Sequence, residues 1–199
     1  MQTIQRLTGV LLVLFGIAAP EIIGALTPGY DPRSNFISEL GAPGAPFADL
    51  MSYGVFVPVG VLWAIAAMFV WRALPAGAIG AAGSVLLFAN AISYAGAGFF
   101  PCDAGCPGEG SFDQMMHNLS GALGYFLTPP ALALIGAHLI GRGRAAAIGA
   151  LTLAVAVLSG LSFIMMVSNM ESGTAGLWQR LTDYPLFVWM LIAAFFLRR

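Results

Sequence analysis

Crossing the roughly 30 Å hydrocarbon core of a bilayer takes about 20 consecutive, mostly apolar residues in a helix. Six stretches of that kind fill most of this 199-residue chain: Leu7–Leu26, Leu50–Trp71, Ala76–Phe99, Leu119–Ile140, Ala145–Val167 and Leu181–Leu197. Backbone groups in hydrocarbon must be satisfied within their own segment. The expected fold is therefore all-α, a single polytopic domain built as a six-transmembrane-helix bundle. With 59% hydrophobic and 9% charged residues, the chain has too few charges to clothe a soluble surface. A net charge of −1 and the absence of a basic cluster leave no face for nucleic acid.

Cytoplasmic flanks of membrane spans retain an excess of Arg and Lys. Arg6, Arg72, Arg142, Arg144, Arg198 and Arg199 fall at one set of span ends, and only Arg33 and Arg180 at the other. Both termini are accordingly expected in the cytoplasm, as an even number of spans also requires. The connections Thr27–Asp49, Phe100–Asn118 and Ser168–Arg180 then lie outside and carry most of the acidic residues and His117. Met1–Ala25, with one Arg and an apolar core, has the build of a signal peptide and is read as a retained anchor helix. Glycines such as Gly9, Gly16, Gly121, Gly124, Gly149 and Gly160 are expected to let helices approach closely. Thr128-Pro129-Pro130 lacks two successive amide donors and is expected to kink its span.

The candidate site gathers on the outer side. Glu21 stands within a span, where an ionisable group faces a pocket or a partner, and Arg33 and Arg180 are the outer cations able to pair with it. Asn90 and Tyr94 reach a similar depth, with Ser93 and Tyr125 near them, while Trp178 sits where interfacial anchors belong. Cys102 and Cys106, four apart in a Gly/Pro-rich loop, are read as a disulfide. Without a second pair or a close histidine they lack a zinc pattern, so no metal site is expected, nor is any cofactor. Asp113 and His117 share a face if their segment is helical, an arrangement in which a carboxylate orients an imidazole for acid–base work. Glu39 would complete that set, with Ser38 as nucleophile. Phe36, Ile37 and Leu40 form a short amphipathic stretch suited to the interface, capped by Ser34 or Asn35 and serving as a lid.

Three segments, Tyr30–Gly41 (YDPRSNFISELG), the FPCD stretch through His117, and Gly176–Leu181 (GLWQRL), resemble the hallmark segments of a bacterial integral-membrane family, domain of unknown function 998. The resemblance implies six spans in a bacterial cytoplasmic membrane with the polar motifs on one side, and no established activity. That family is similar in turn to eukaryotic six-span proteins of the GPI-lipid-remodelling and autophagy-modulator type. This tilts the reading toward membrane lipids as partners and marks Ser38, Glu39, His117 and Arg180 as motif positions. The leading expectation is a pocket for a lipid or amphiphile headgroup lined by Glu21, Arg33, Glu39, Asn90, His117 and Arg180. The alternative is an intramembrane hydrolase or acyl-transfer enzyme using His117 with Asp113 and Glu39, with or without a metal ion between them.

Overall fold

The computed structural model describes residues 2–170 and 172–197. Glu171, Arg198 and Arg199, which entered the reading of the loops and of sidedness, lie outside them. Among the described residues six long helices follow one another: α1 Gln2–Leu26, α2 Ala48–Ala73, α3 Ala78–Phe99, α4 Phe112–Leu139, α5 Ala146–Ser168 and α6 Ala175–Phe196. Among the described residues there is no strand. By length and composition α1 to α5 can each cross a membrane. Helix α6 stands apart from these five because its first half carries Gln179, Arg180 and Asp183.

Two helices begin well before their apolar runs. Ser111 accepts a hydrogen bond from the Gln114 amide and so starts α4 ahead of Leu119. Helix α6 starts ahead of Leu181 because its first turn is buried against the connection between α1 and α2. Prolines within the helices are absorbed without a break. Wide turns at Leu14–Ala18 and Leu50–Phe56 precede Pro20 and Pro58, which lack an amide and crowd the carbonyl four residues back. Helix α4 runs unbroken through Pro129 and Pro130.

In the bundle α4 packs on α3 and α5, while α6 packs on α5 and α1 and α2 lies along α3. Trp63, Phe187 and Trp189 form the buried middle, Trp63 and Phe187 meeting edge to face at 5.5 Å. Each indole N–H has a partner: Trp63 donates to the Leu87 carbonyl at 3.0 Å and Trp189 to Thr152 Oγ1 at 2.8 Å. The outer flanks carry large exposed apolar side chains such as Ile22, Val61, Phe126 and Leu161, as lipid contact requires. At the end with short connections, His138 Nε2 meets the Pro75 carbonyl at 2.9 Å and ties α4 to the α2–α3 turn.

Close helix contact sorts the glycines. A Cβ on Gly16 would lie 2.3 Å from the Phe187 ring, and one on Gly149 would meet the Gly136 carbonyl at 3.0 Å. Gly121 and Gly160 do not share this role, since a Cβ on Gly121 would find only Tyr125, at 3.9 Å. Gly16→Ala should lower stability by about 1–3 kcal/mol through overpacking. Gly121→Ala should be neutral or gain up to about 1 kcal/mol of helix propensity. Unfolding of the two variants in detergent, followed by circular dichroism, checks the contrast.

Candidate functional site

The long connections meet at one end of the bundle, and a buried guanidinium fastens them. Arg180, 8% exposed, donates through Nε to Glu21 Oε1 at 2.8 Å, the one ion pair among the described residues. Its Nη1 donates to the carbonyls of Pro32 (2.7 Å), Gly176 (3.2 Å) and Asn35 (3.3 Å), and its Nη2 to the Tyr30 hydroxyl at 2.8 Å. Tyr184 donates to the same oxygen of Glu21. Burial pushes the Tyr30 hydroxyl above its ordinary range, so it stays protonated and donates onward to the Phe36 carbonyl at 3.2 Å. The amides of Gly176 and Leu177 donate to the carbonyls of Ser34 and Arg33. Gly176 permits this approach, since a Cβ there would stand 2.1 Å from the Asn35 carbonyl oxygen.

The same connection is braced along its length. The Asp31 carboxylate accepts from the Arg33 amide at 2.9 Å and from the Ser34 hydroxyl at 3.2 Å. Glu39, not Ser34 or Asn35, caps the short turn Ile37–Gly41, accepting from the Phe36 amide at 2.7 Å and from Asn35 Nδ2 at 2.9 Å. Ile37 and Leu40 point into the core, 3% and 1% exposed, where the sequence suggested a membrane-interface stretch. Gln179 Oε1 takes the Ile37 amide at 2.6 Å, so the turn is pinned to α6.

Beneath this turn lies a cavity of about 220 Å³. Its polar lining comes from Asn90, Ser93 and Tyr94 of α3, His117 and Tyr125 of α4, Gln179 and Asp183 of α6, and Ser38. Its apolar lining includes Phe36, Phe56, Phe126, Phe163, Met166 and Met170. Gln179 Nε2 donates to the Tyr125 hydroxyl at 3.0 Å, which therefore turns its own proton to Asp183 Oδ2 at 3.4 Å. The Tyr94 hydroxyl faces the same carboxyl. Asp183 is 4% exposed and has no ion partner among the described residues. Asn90 is 3% exposed, and its Nδ2 has no hydrogen-bond partner among the described residues.

The profile of the family described as "Protein of unknown function (DUF998)" matches residues 7–195. The chain belongs to that family. No curated protein and no solved structure matches it.

In this DUF998 protein the residues expected from the sequence divide between two places. Glu21 and Arg180 belong to the clamp, at whose edge Trp178 is half-buried, while Arg33 is exposed on the connection. Asn90, Tyr94, His117 and Ser38 line the cavity. Asp113 and His117 do share α4, yet they do not pair: the His117 Nδ1–H donates to the Phe100 carbonyl at 2.9 Å and Asp113 is exposed. Glu39 is engaged with backbone and Asn35, and Ser38 Oγ contacts Cys106 Sγ at 3.2 Å. Ser38 and His117 thus border one cavity without either acidic partner. Cys102 and Cys106 stand at disulfide distance, their sulfurs 1.93 Å apart, and pack with Ala42 and Phe36 beside the turn. Asp103 closes this second connection by accepting from the Ser111 amide and hydroxyl, which hold its carboxyl below the usual range. Among the described residues no three His, Cys, Asp or Glu side chains group to hold a metal ion.

Asp183 escaped the sequence reading altogether. Its signal was available, an acid inside the run Leu181–Leu197.

Arg180→Ala removes the cation beside Glu21 and the donor to three carbonyls, and should cost about 1–3 kcal/mol. Arg180→Lys should restore less than half of that, because an ammonium cannot reproduce the fork. Thermal unfolding in detergent, with proteolysis of residues 27–47 as a local readout, decides it; a guanidinium held free for a ligand would leave both measurements unchanged.

Proposed function

We propose that this DUF998 protein is a multi-pass membrane protein that takes a small amphiphile, or the head of a lipid, into the cavity beneath the Ile37–Gly41 turn. The Asn90 amide carries this reading. A fully buried donor left without an acceptor costs about 1–3 kcal/mol, and a guest molecule would supply the missing oxygen. The walls suit an amphiphile, since Phe163, Met166 and Met170 place aromatic and adaptable thioether groups beside that polar floor. Phe126 and Met170 are 64% and 46% exposed on the flank where α4 adjoins α5, so a tail could stay in the bilayer while the head enters. Arg180 supports the pocket from behind: its donors already serve Glu21, Tyr30 and three carbonyls.

The arrangement in the membrane is part of the reading. We infer six crossings of a cytoplasmic membrane, with both termini on the cytoplasmic side and the long connections outside. Helix α6 has 22 residues, about 33 Å at 1.5 Å per residue, and lies against α1 and α5. The distribution of arginines favours the same orientation. A fluorescent protein fused to the C-terminus should mature in the cytoplasm. A single cysteine placed at Ser172 in a variant with Cys102→Ser and Cys106→Ser should react with an impermeant maleimide from outside; labelling only after lysis would reverse the orientation.

For the pocket, protein purified in a mild detergent should carry a bound amphiphile detectable by native mass spectrometry. Gly121→Leu projects a side chain into open space at the cavity wall, and should cut that occupancy at least fivefold while Gly121→Ala retains it. Equal occupancy in all three proteins would mean that only annular lipid had been measured.

A further inference from the structure

We propose that the cavity selects an organic ammonium group, held by the Asp183 carboxylate among the Tyr94 and Tyr125 rings, with an oxygen of the same guest beside Asn90. This rests on the reading of the cavity as an amphiphile site and names the chemistry of the head.

The case is built on the direction of the hydrogen bonds. Gln179 donates to Tyr125 and Tyr125 in turn points its proton at Asp183, so the chain of donors ends on an acceptor. His117 has its Nδ1–H on the Phe100 carbonyl, and in the neutral ring its Nε2 is therefore a second acceptor at the same cavity. The nearest cation along the helix, Arg180, is paired with Glu21. A carboxylate buried in the bundle is costly unless a positive partner reaches it. Among the described residues none forms an ion pair with it. A carboxylate set among aromatic side chains is the kind of surrounding in which alkylammonium groups are bound. Among the described residues Asn90 Nδ2 is the one buried side-chain donor at the cavity with nothing to donate to, which fits an oxygen borne near the nitrogen. A cavity of about 220 Å³ admits a group of that size, given that one of roughly 150 Å³ holds benzene.

The test uses the full chain in maltoside micelles and three probes of equal tail length: octylammonium, 1-octanol and octanoate. Binding is followed by titration calorimetry against empty micelles. Wild type should bind octylammonium at least tenfold more tightly than octanol or octanoate. Asp183→Asn should lose that preference while keeping its affinity for octanol, and Gly121→Leu should bind none of the three. Equal affinity of wild type for all three probes would overturn the ammonium assignment and leave the cavity as an amphiphile site. Failure of every probe, or unchanged binding in Gly121→Leu, would remove the cavity reading and the assignment together. If Asp183→Asn does not fold, the comparison of the three probes on wild type decides by itself.

Discussion

A guanidinium that leaves water must find acceptors, and the end of this bundle is built around one whose three nitrogens all do. Arg180 collects a carboxylate from α1, a hydroxyl and two carbonyls from the α1–α2 connection, and a carbonyl from its own helix. Desolvating so many groups is tolerable only because each is matched. The return is positional: α1, α6 and the connection over the cavity are held in one register. Gln179, the residue before Arg180, is turned about 100° round the helix from it and reaches both Ile37 and Tyr125. One turn of α6 therefore supplies the fastening on one side and a wall of the cavity on the other.

This division of labour gives the motif-like segments a structural role. Tyr30, Asp31, Asn35 and Glu39 shape and tie down the connection, and Gly176 and Arg180 receive it. Polar residues crowded at a membrane face suggest chemistry. Here most of their hydrogen-bonding capacity goes to the backbone of an irregular segment, whose amides and carbonyls have no helix or strand to pair them. Asn90, whose amide nitrogen is left over among the described residues, and Asp183 sit deeper, beneath the turn that the others secure.

The Cys102–Cys106 loop adds a second brace. It packs with Phe36 and Ala42, and Cys106 touches Ser38, so the turn is held from α6 on one side and from the α3–α4 connection on the other. His117 is fixed by the same connection through the Phe100 carbonyl. Its imidazole is thereby aimed by the backbone, and the carboxylate one turn before it on α4 has no part in that.

The helices themselves were legible in the sequence, because hydrocarbon imposes length and apolarity on each segment independently of its neighbours. Glu21 was legible as well, since a charge in such a segment stands out against its surroundings. Asp183 stood out by the same rule, but near the end of a helix it passes for a residue of the adjoining loop. What periodicity could not settle was which polar groups would take up one another. Asp113 lies on the same helix as His117, yet the imidazole bonds to Phe100, and Arg180 and Arg33 were equal candidates for Glu21 until packing brought one of them within 2.8 Å. Hydrogen-bond partners are chosen by distances across the bundle, and those are set only when the helices pack. The one-dimensional chain determined the long apolar helices and their polar end; the cavity, with the Asn90 amide and the Asp183 carboxyl in its wall, exists only in the packed molecule.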